Sequence, residues 1–193
     1  MKKVIIPVVI LTIAAFFIYK FYYQKQKVQN NKEIPMAVTT NDSLTSNVGA
    51  ALQAYYTMKD AFIKSDTALV NSAASNFSGK ILQVEMEGLQ ADTTILELAV
   101  QLKQSISGET NNLLAVKDIA AKRKSFQAVS DGLFDFLRTI RYTGSKVYQQ
   151  YCPMAFDNNG AAWLSNSSEI VNPYFGEKML HCGDVRDSVN ITK

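Results

Sequence analysis

Apolar residues in the middle of the chain recur every three to four positions, which is the spacing of a helix that buries one face. The first apolar stripe covers residues 44–62, and Asp42 or Ser43 is the expected N-cap. A second stripe begins after Asp66, and Gly79 is expected to weaken or split that helix, because glycine is a poor helix former. These patterns predict two amphipathic helices.

Two more helical stripes follow, after Gly88 as the expected stop of the second helix. A third helix is predicted from the cap at Asp92 to Gly108, and a fourth from about residue 111 to 142. Because each apolar face must be buried against its neighbours, four such helices with short connections predict an antiparallel four-helix bundle. The predicted fold class is therefore mainly α.

After the fourth helix the pattern changes to short alternation. Residues 147–151 partly alternate, residues 157–160 carry a strong turn signal, and residues 161–164 suit a returning strand. Residues 144–193 are thus predicted to form a small, irregular C-terminal lobe with one β-hairpin, packed on the bundle of residues 44–143. Such a lobe has little regular structure and would gain stability from a metal or a disulfide.

The N-terminus opens with two lysines and an almost continuous apolar run, which is typical of a secretory signal. No small-x-small cleavage site follows, so residues 1–23 are predicted to be an uncleaved signal anchor, a transmembrane helix in the inner membrane. Residues 24–43 are polar and are predicted to be a linker. The short N-terminal tail favours a body exported to the periplasm, while lysines on both sides of the run leave a cytosolic body as the alternative.

The positive charge of the chain is concentrated at its N-terminus. The first 32 residues hold six lysines and no acid, and beyond them 14 basic residues stand against 17 acidic ones. The body is therefore slightly acidic, and this argues against a nucleic-acid partner, which would need a basic surface on the folded part. The one basic run of the body, residues 122–124, is expected to lie on a solvated helix face.

Soft metal ligands cluster in the predicted lobe, where both cysteines and the single histidine of the chain lie. Thiolate and thioether sulfur suit a thiophilic ion such as Cu(I). In an extended stretch, positions i and i+2 share a face, and on one helical turn so do positions i and i+3. This spacing pairs Cys152 with Met154 and Met179 with Cys182. The histidine points elsewhere on such a turn and is the weakest candidate. The candidate metal ligands are Cys152, Met154, Met179, Cys182 and His181.

One other interpretation of the cysteines, a structural disulfide, remains open. Zinc is disfavoured because a structural site normally has four Cys or His ligands. A disulfide between Cys152 and Cys182 would close a loop of about 30 residues and stabilise the fold by roughly 3.5–4 kcal/mol. In that alternative the protein is a structural or interaction module, and the aromatic surface around residues 172–176 contacts an envelope partner. No catalytic residues stand out, so an enzyme is not expected.

Several segments carry a resemblance to a known family. They are residues 55–61, Cys-Pro-Met-Ala-Phe at 152–156, Gly-Ala-Ala-Trp-Leu-Ser at 160–165, Asn-Pro-Tyr-Phe-Gly at 172–176, Met179 and Cys182-Gly183. Over about residues 44–190 the chain resembles an uncharacterised bacterial envelope domain, a domain of unknown function. That family occurs alone and is also appended to periplasmic adaptor subunits of heavy-metal efflux pumps of the resistance-nodulation-division type.

The resemblance implies a location outside the inner membrane and an association with copper or silver efflux. It also implies ligand roles for Cys152, Met154, Met179 and Cys182, which fall on the family's motif. The sequence thus predicts a membrane-anchored periplasmic protein that binds a soft metal, with Cu(I) as the favoured ion, and that is accessory to heavy-metal efflux or homeostasis. Its expected partners are the inner membrane and components of an efflux system.

Overall fold

The structure is a computed structural model that describes residues 38–189. Four long helices dominate it, and one very short helix follows them. The helices are α1 (Asp42–Ile63), α2 (Thr67–Leu82), α3 (Thr93–Ala115), α4 (Ile119–Thr139) and α5 (Ala155–Asn158). The strands are β1 (Thr39–Thr40), β2 (Leu89–Gln90), β3 (Val147–Cys152), β4 (Ala161–Ser165) and β5 (Asp184–Val189), and 3₁₀ turns cover Met86–Gly88 and Gly176–Met179. The predicted mainly helical class, with four long helices, is confirmed.

Each long helix begins at an Asn or Asp N-cap whose side chain accepts a backbone N–H of the first turn, at 2.7–3.1 Å. Such caps stabilise a helix by about 1 kcal/mol each. Asp66 and Asp92 cap α2 and α3, as predicted. The cap of α1 is Asn41 rather than Asp42 or Ser43. The caps therefore fix where the helices begin.

Glycine proved a weaker boundary signal than these caps. Gly79 does not split α2, and Gly108 does not end α3, which continues to Ala115. Residues 111–115, predicted to start the fourth helix, therefore belong to α3, and α4 begins only after its cap at Asp118. The physical reason is that an interior glycine costs a helix about 1 kcal/mol, which burial of the apolar face beyond Gly108 offsets.

The four helices pack on one another in chain order, and α1 and α4 also meet. Aromatic rings form the contact between these two helices. Phe126 of α4 stacks on Tyr55 of α1 at a centroid distance of 5.4 Å and packs on Phe62 at 4.7 Å. All three residues are fully buried. We call α1–α4 the helical body.

The predicted hairpin is confirmed, and a third strand joins it. Strand β3 pairs antiparallel with both β4 and β5, so that it lies in the middle of the sheet. All residues of β4 are buried, and this strand contacts α4. Strand β5 was not predicted, because its six residues alternate poorly and all but Val189 are exposed. We call residues 144–189 the lobe.

The basic run in α4 is not a solvated face, contrary to the prediction. Lys122 is fully buried, and its Nζ donates to Asn71 Oδ1 and to the Leu113 carbonyl oxygen, both at 2.7 Å. Burial lowers the pKa of this lysine. Arg123 is partly buried, and only Lys124 is exposed. Lys122 and Arg123 therefore form hydrogen bonds within the protein instead of facing the solvent.

No helix within residues 38–189 is long and apolar enough to cross a bilayer. The predicted transmembrane helix, residues 1–23, lies outside the described residues, as does most of the predicted linker. The end of that linker segment is ordered as β1, which pairs with β2, and as the start of α1.

Candidate functional site

The two cysteines meet in the lobe. Cys152 is the last residue of β3 and is fully buried, whereas Cys182 lies between the second 3₁₀ turn and β5 and is partly exposed. Their Sγ atoms are 2.6 Å apart, and no disulfide joins them. The two cysteines, 30 positions apart in the chain, are therefore brought together by the fold.

The chain around Cys182 is shaped by close backbone contacts. Its N–H donates to the Met179 carbonyl oxygen at 3.2 Å, which closes one turn. The next residue, Gly183, has a φ of 137°, and a Cβ there would lie 2.7 Å from the Tyr151 carbonyl oxygen and 3.0 Å from the Trp163 ring. Only glycine fits both this conformation and this space. The close approach of Gly183 to Tyr151 of β3 and Trp163 of β4 thus places the neighbouring Cys182 next to Cys152.

The two predicted methionine ligands differ in their position relative to the cysteines. The chain turns after Cys152, so the extended geometry assumed for Cys152 and Met154 is absent, and the side chain of Met154 is 48% exposed. Met179 is partly buried and shares a closed turn with Cys182.

His181 is exposed, and its Nδ1 lies 2.9 Å from the Ile170 carbonyl oxygen. Within residues 38–189, no three or more His, Cys, Asp or Glu side chains form a group that could hold a metal ion. The structure therefore does not combine the histidine with the two thiols into such a three-ligand set. The convergent donors are the two sulfurs of the cysteine pair.

The turn after β3 has an unusual backbone. Three consecutive non-glycine residues there lie in the left-handed region, with φ values of 51°, 57° and 68°, namely Phe156, Asp157 and Asn158. Such a conformation costs about 1–2 kcal/mol per residue, and a hydrogen bond of 2.9 Å from the Gly160 N–H to the Ala155 carbonyl oxygen closes the turn. With Lys124 and Gln127 of α4, the turn borders an open cleft of about 420 Å³.

The thiol of Cys182 is held in its protonated form. The hydrogen bond with Cys152 raises its pKa to about 11, and burial and the neighbouring sulfur act in the same direction. A metal ion binds the thiolate rather than the thiol, so its binding must release this proton. Any metal ion that bound this pair would therefore bind more tightly at higher pH.

The segment Asn172–Gly176 contributes to the site in a way that the sequence did not indicate. In the disulfide alternative it was expected to be an interaction surface, but Asn172, Pro173, Tyr174 and Gly176 are buried. The hydroxyl of Tyr174 donates to the Ala162 carbonyl oxygen of β4. Its ring lies against Phe126 of the helical body, at 6.0 Å between centroids. This segment joins the lobe to the helices.

Arg123 connects the same segment to the helical body from the other side. Its Nε donates to the Pro173 carbonyl oxygen at 3.0 Å, and its Nη2 donates to the Phe62 carbonyl oxygen at 3.2 Å and to Ser65 Oγ at 2.9 Å. No motif signals this role, because a basic run on a helix has the same appearance whether its side chains are solvated or clamped. The thiol pair therefore rests on a lobe that is fixed to α1 and α4.

No curated protein and no solved structure matches the chain. A family model does match part of it, from the first half of α1 to just beyond α4. The matched part ends before β3, so the cysteine motif and the link to efflux adaptors stay predictions. Residues 51–143, just under half of the chain, match the model of a domain family described as a protein of unknown function (DUF3347).

Proposed function

We propose that the protein binds one soft metal ion, with Cu(I) as the preferred ion, through the thiolates of Cys152 and Cys182. The observation that carries the proposal is the convergence of the two sulfurs, 2.6 Å apart, at a partly exposed position. Two thiolates are the donors that Cu(I) favours over harder oxygen ligands. No chemical step is proposed, and the role is to hold the ion and pass it on.

Binding requires a modest movement of one thiol. Two sulfurs that each lie about 2.3 Å from a tetrahedral ion are about 3.8 Å apart, compared with 2.6 Å here. Cys152 is fixed in the central strand, whereas Cys182 lies in neither a strand nor a helix. We therefore expect the partly exposed side chain of Cys182 to rotate when the ion enters, while its backbone stays in place.

Thioether sulfur would complete the coordination. Met179 is the better placed candidate, because it shares a closed turn with Cys182. Met154 lies two residues after Cys152 and is half exposed, which suits a ligand that meets an incoming ion first. His181 stays a candidate at the periphery, with Nδ1 engaged by a carbonyl oxygen.

We further propose that the body faces the periplasm from an inner-membrane anchor and serves heavy-metal efflux or homeostasis. The apolar run at residues 1–23 supports the anchor, and the sequence resemblance to domains of efflux adaptors supports the context. A cysteine-accessibility assay on intact cells tests the topology. Labelling of Cys182 by a membrane-impermeant maleimide only after lysis would contradict export.

The metal proposal is tested by an anaerobic Cu(I) competition titration of the reduced full-length chain against a chromogenic chelator. We expect one ion per chain, and the binding should be lost in the double variant Cys152→Ser/Cys182→Ser. Single Met179→Leu and Met154→Leu variants report the thioether contributions, and we expect the larger loss of affinity for Met179→Leu. Zn²⁺ in place of Cu(I) measures selectivity.

A matched control keeps the result specific. His181→Gln removes a partly engaged imidazole without touching either sulfur, so its Cu(I) affinity should stay within about threefold of the wild type if thiolates dominate the site. If the reduced wild-type chain binds no Cu(I), or if the double serine variant binds as tightly as the wild type, the metal proposal is wrong.

A second function is favoured by one specific observation. An S–S bond of about 2.04 Å is nearer to the present separation of 2.6 Å than the spacing that a shared ion requires. The cysteines would then form a structural disulfide worth about 3.7 kcal/mol by the loop-entropy model, in a module that acts through protein contacts. A wild type that binds no Cu(I), but is more stable oxidised than reduced by about this amount, would establish that alternative.

A further inference from the structure

Asn172 is fully buried, and three of its polar groups bond within one loop. Its Nδ2 donates to the Cys182 carbonyl oxygen at 2.8 Å, and its Oδ1 accepts the Tyr174 N–H at 2.7 Å. Its backbone N–H donates to the Leu180 carbonyl oxygen at 2.7 Å. The residue therefore binds the chain on both sides of His181 and fixes the backbone that carries the Cys182 thiol.

Asparagine suits this place because one short side chain supplies both a donor and an acceptor. An aspartate would keep the acceptor for the Tyr174 N–H but would turn a carboxylate oxygen toward the Cys182 carbonyl oxygen, and the two would repel. A serine is too short to reach both partners. Buried polar groups need hydrogen-bond partners, and in this loop the donor and the acceptor of the Asn172 amide both have one.

Asn172 is itself held from the helical body. The next carbonyl, that of Pro173, accepts the hydrogen bond from Arg123 Nε at 3.0 Å. The restraint therefore runs from α4 through Arg123 and Asn172 to the backbone of Cys182. Cys152 needs no such device, because it is the last residue of the central strand β3 and pairs with Ala161 of β4.

We propose that Asn172 is the positioning residue of the thiol pair and sets the distance between Cys182 and Cys152. This inference deepens the proposed metal site and rests on it for the identity of the ion. Residues that orient a ligand from outside the coordination shell typically change metal affinity by about 10- to 100-fold when they are replaced. We expect a loss in that range for Asn172→Asp, with Met179 and both thiols intact.

Two measurements on the full-length chain test the inference. The first is the anaerobic Cu(I) competition titration. The second needs no metal and is the equilibrium with glutathione, in which oxidised glutathione and the two protein thiols exchange to a protein disulfide and two reduced glutathiones. Because that constant depends on how well the two thiols are aligned, Asn172→Asp should lower it together with the Cu(I) affinity.

Ile106→Val is the control for general destabilisation. It removes one buried methyl group from α3, which takes no part in the hydrogen bonds that attach the lobe to α1 and α4. We expect this variant to melt earlier than the wild type but to keep both binding constants. Asn172→Ser serves as a second variant without a buried carboxylate, in case Asn172→Asp does not fold, as judged by near-UV circular dichroism.

The possible outcomes separate the two proposals. If folded Asn172 variants keep both constants, or if Ile106→Val loses them to the same extent, Asn172 is not a positioning residue. If the wild type binds no Cu(I) but the glutathione constant falls in the Asn172 variants alone, positioning is supported and the metal function is wrong. A fall in both constants for the Asn172 variants alone supports both proposals.

Discussion

Replacing Tyr55 with phenylalanine tests how the lobe is attached to the helical body. Ser130 Oγ donates to the Phe126 carbonyl oxygen at 2.7 Å, and this uses its single proton. The Tyr55 hydroxyl must therefore donate to Ser130 Oγ, at 2.6 Å, and it accepts the Leu164 N–H of β4 at 3.0 Å. One hydroxyl thus links β4, α1 and α4 in a chain of hydrogen bonds.

The magnitude follows from which groups lose their partners. In Tyr55→Phe the buried Leu164 N–H has no acceptor, which costs about 1–3 kcal/mol, and the bond to Ser130 is lost as well. We expect Tyr55→Phe to lower the free energy of unfolding by about 2–3 kcal/mol in total. Ser130→Ala removes one acceptor and should cost about 1 kcal/mol. The double variant should cost little more than Tyr55→Phe alone, because the bond between the two residues is already absent in it.

Urea unfolding followed by two probes provides the assay. Trp163 is the single tryptophan of the chain and reports the lobe, since it lies beside Leu164 in β4, while far-UV circular dichroism reports the helices. Coincident transitions are expected if the lobe unfolds with the helical body. A cost below about 0.5 kcal/mol for Tyr55→Phe, or additive costs in the double variant, would refute the hydrogen-bond chain as the main attachment.

Three further predictions concern stability. Arg123→Lys cannot reproduce the bonds to two carbonyl oxygens and a hydroxyl, so it should lower the free energy of unfolding by about 1–2 kcal/mol. The control Lys124→Ala, at an exposed position, should change this free energy by less than about 0.5 kcal/mol in the same urea assay. Gly160→Ala should lower the free energy of unfolding by more than about 2 kcal/mol, because φ at this position is 80° and a Cβ would overlap the Tyr151 hydroxyl. Gly79 has open space around it, so Gly79→Ala should stabilise α2 by up to about 1 kcal/mol. Burial raises the pKa of Tyr55, and the pKa of Cys182 is raised to about 11. The unfolded chain therefore releases protons that the native state retains, and urea midpoints should fall as the pH rises from about 9 to 11.

The helices were predictable because two local signals agree along most of the body. Apolar spacing identified four stripes, and the Asp66 and Asp92 caps located two helix starts correctly. Most of the errors came from treating glycine as a boundary, and the N-cap of α1 is Asn41 rather than Asp42 or Ser43. Gly108 lies within α3, whose buried Ile106 and Leu113 stand on either side of it, and that burial is a tertiary effect with no local signature.

The site was predictable only in part, for a related reason. The chemistry of Cys152 and Cys182 is visible in their residue types, and the fold brings them together. Asn172 could not be identified as a positioning residue, because an Asn-Pro pair indicates a turn and says nothing about which distant carbonyls its amide binds. Arg123 gave no signal at all. Residues that act through backbone acceptors are invisible to motif analysis, since every residue supplies the same carbonyl.

These contacts explain why a thiol pair in so irregular a lobe can have a defined geometry. The lobe has one three-stranded sheet, and Cys182 lies outside it. What fixes its backbone is a series of side chains that begins in the helical body, with Arg123 on Pro173 and Asn172 on Cys182. A rigid strand therefore carries one cysteine, and a loop tied to a helix carries the other. In the proposed metal site, only the side chain of Cys182 would have to move when an ion enters or leaves, because its backbone is held by Asn172 and its side chain is partly exposed.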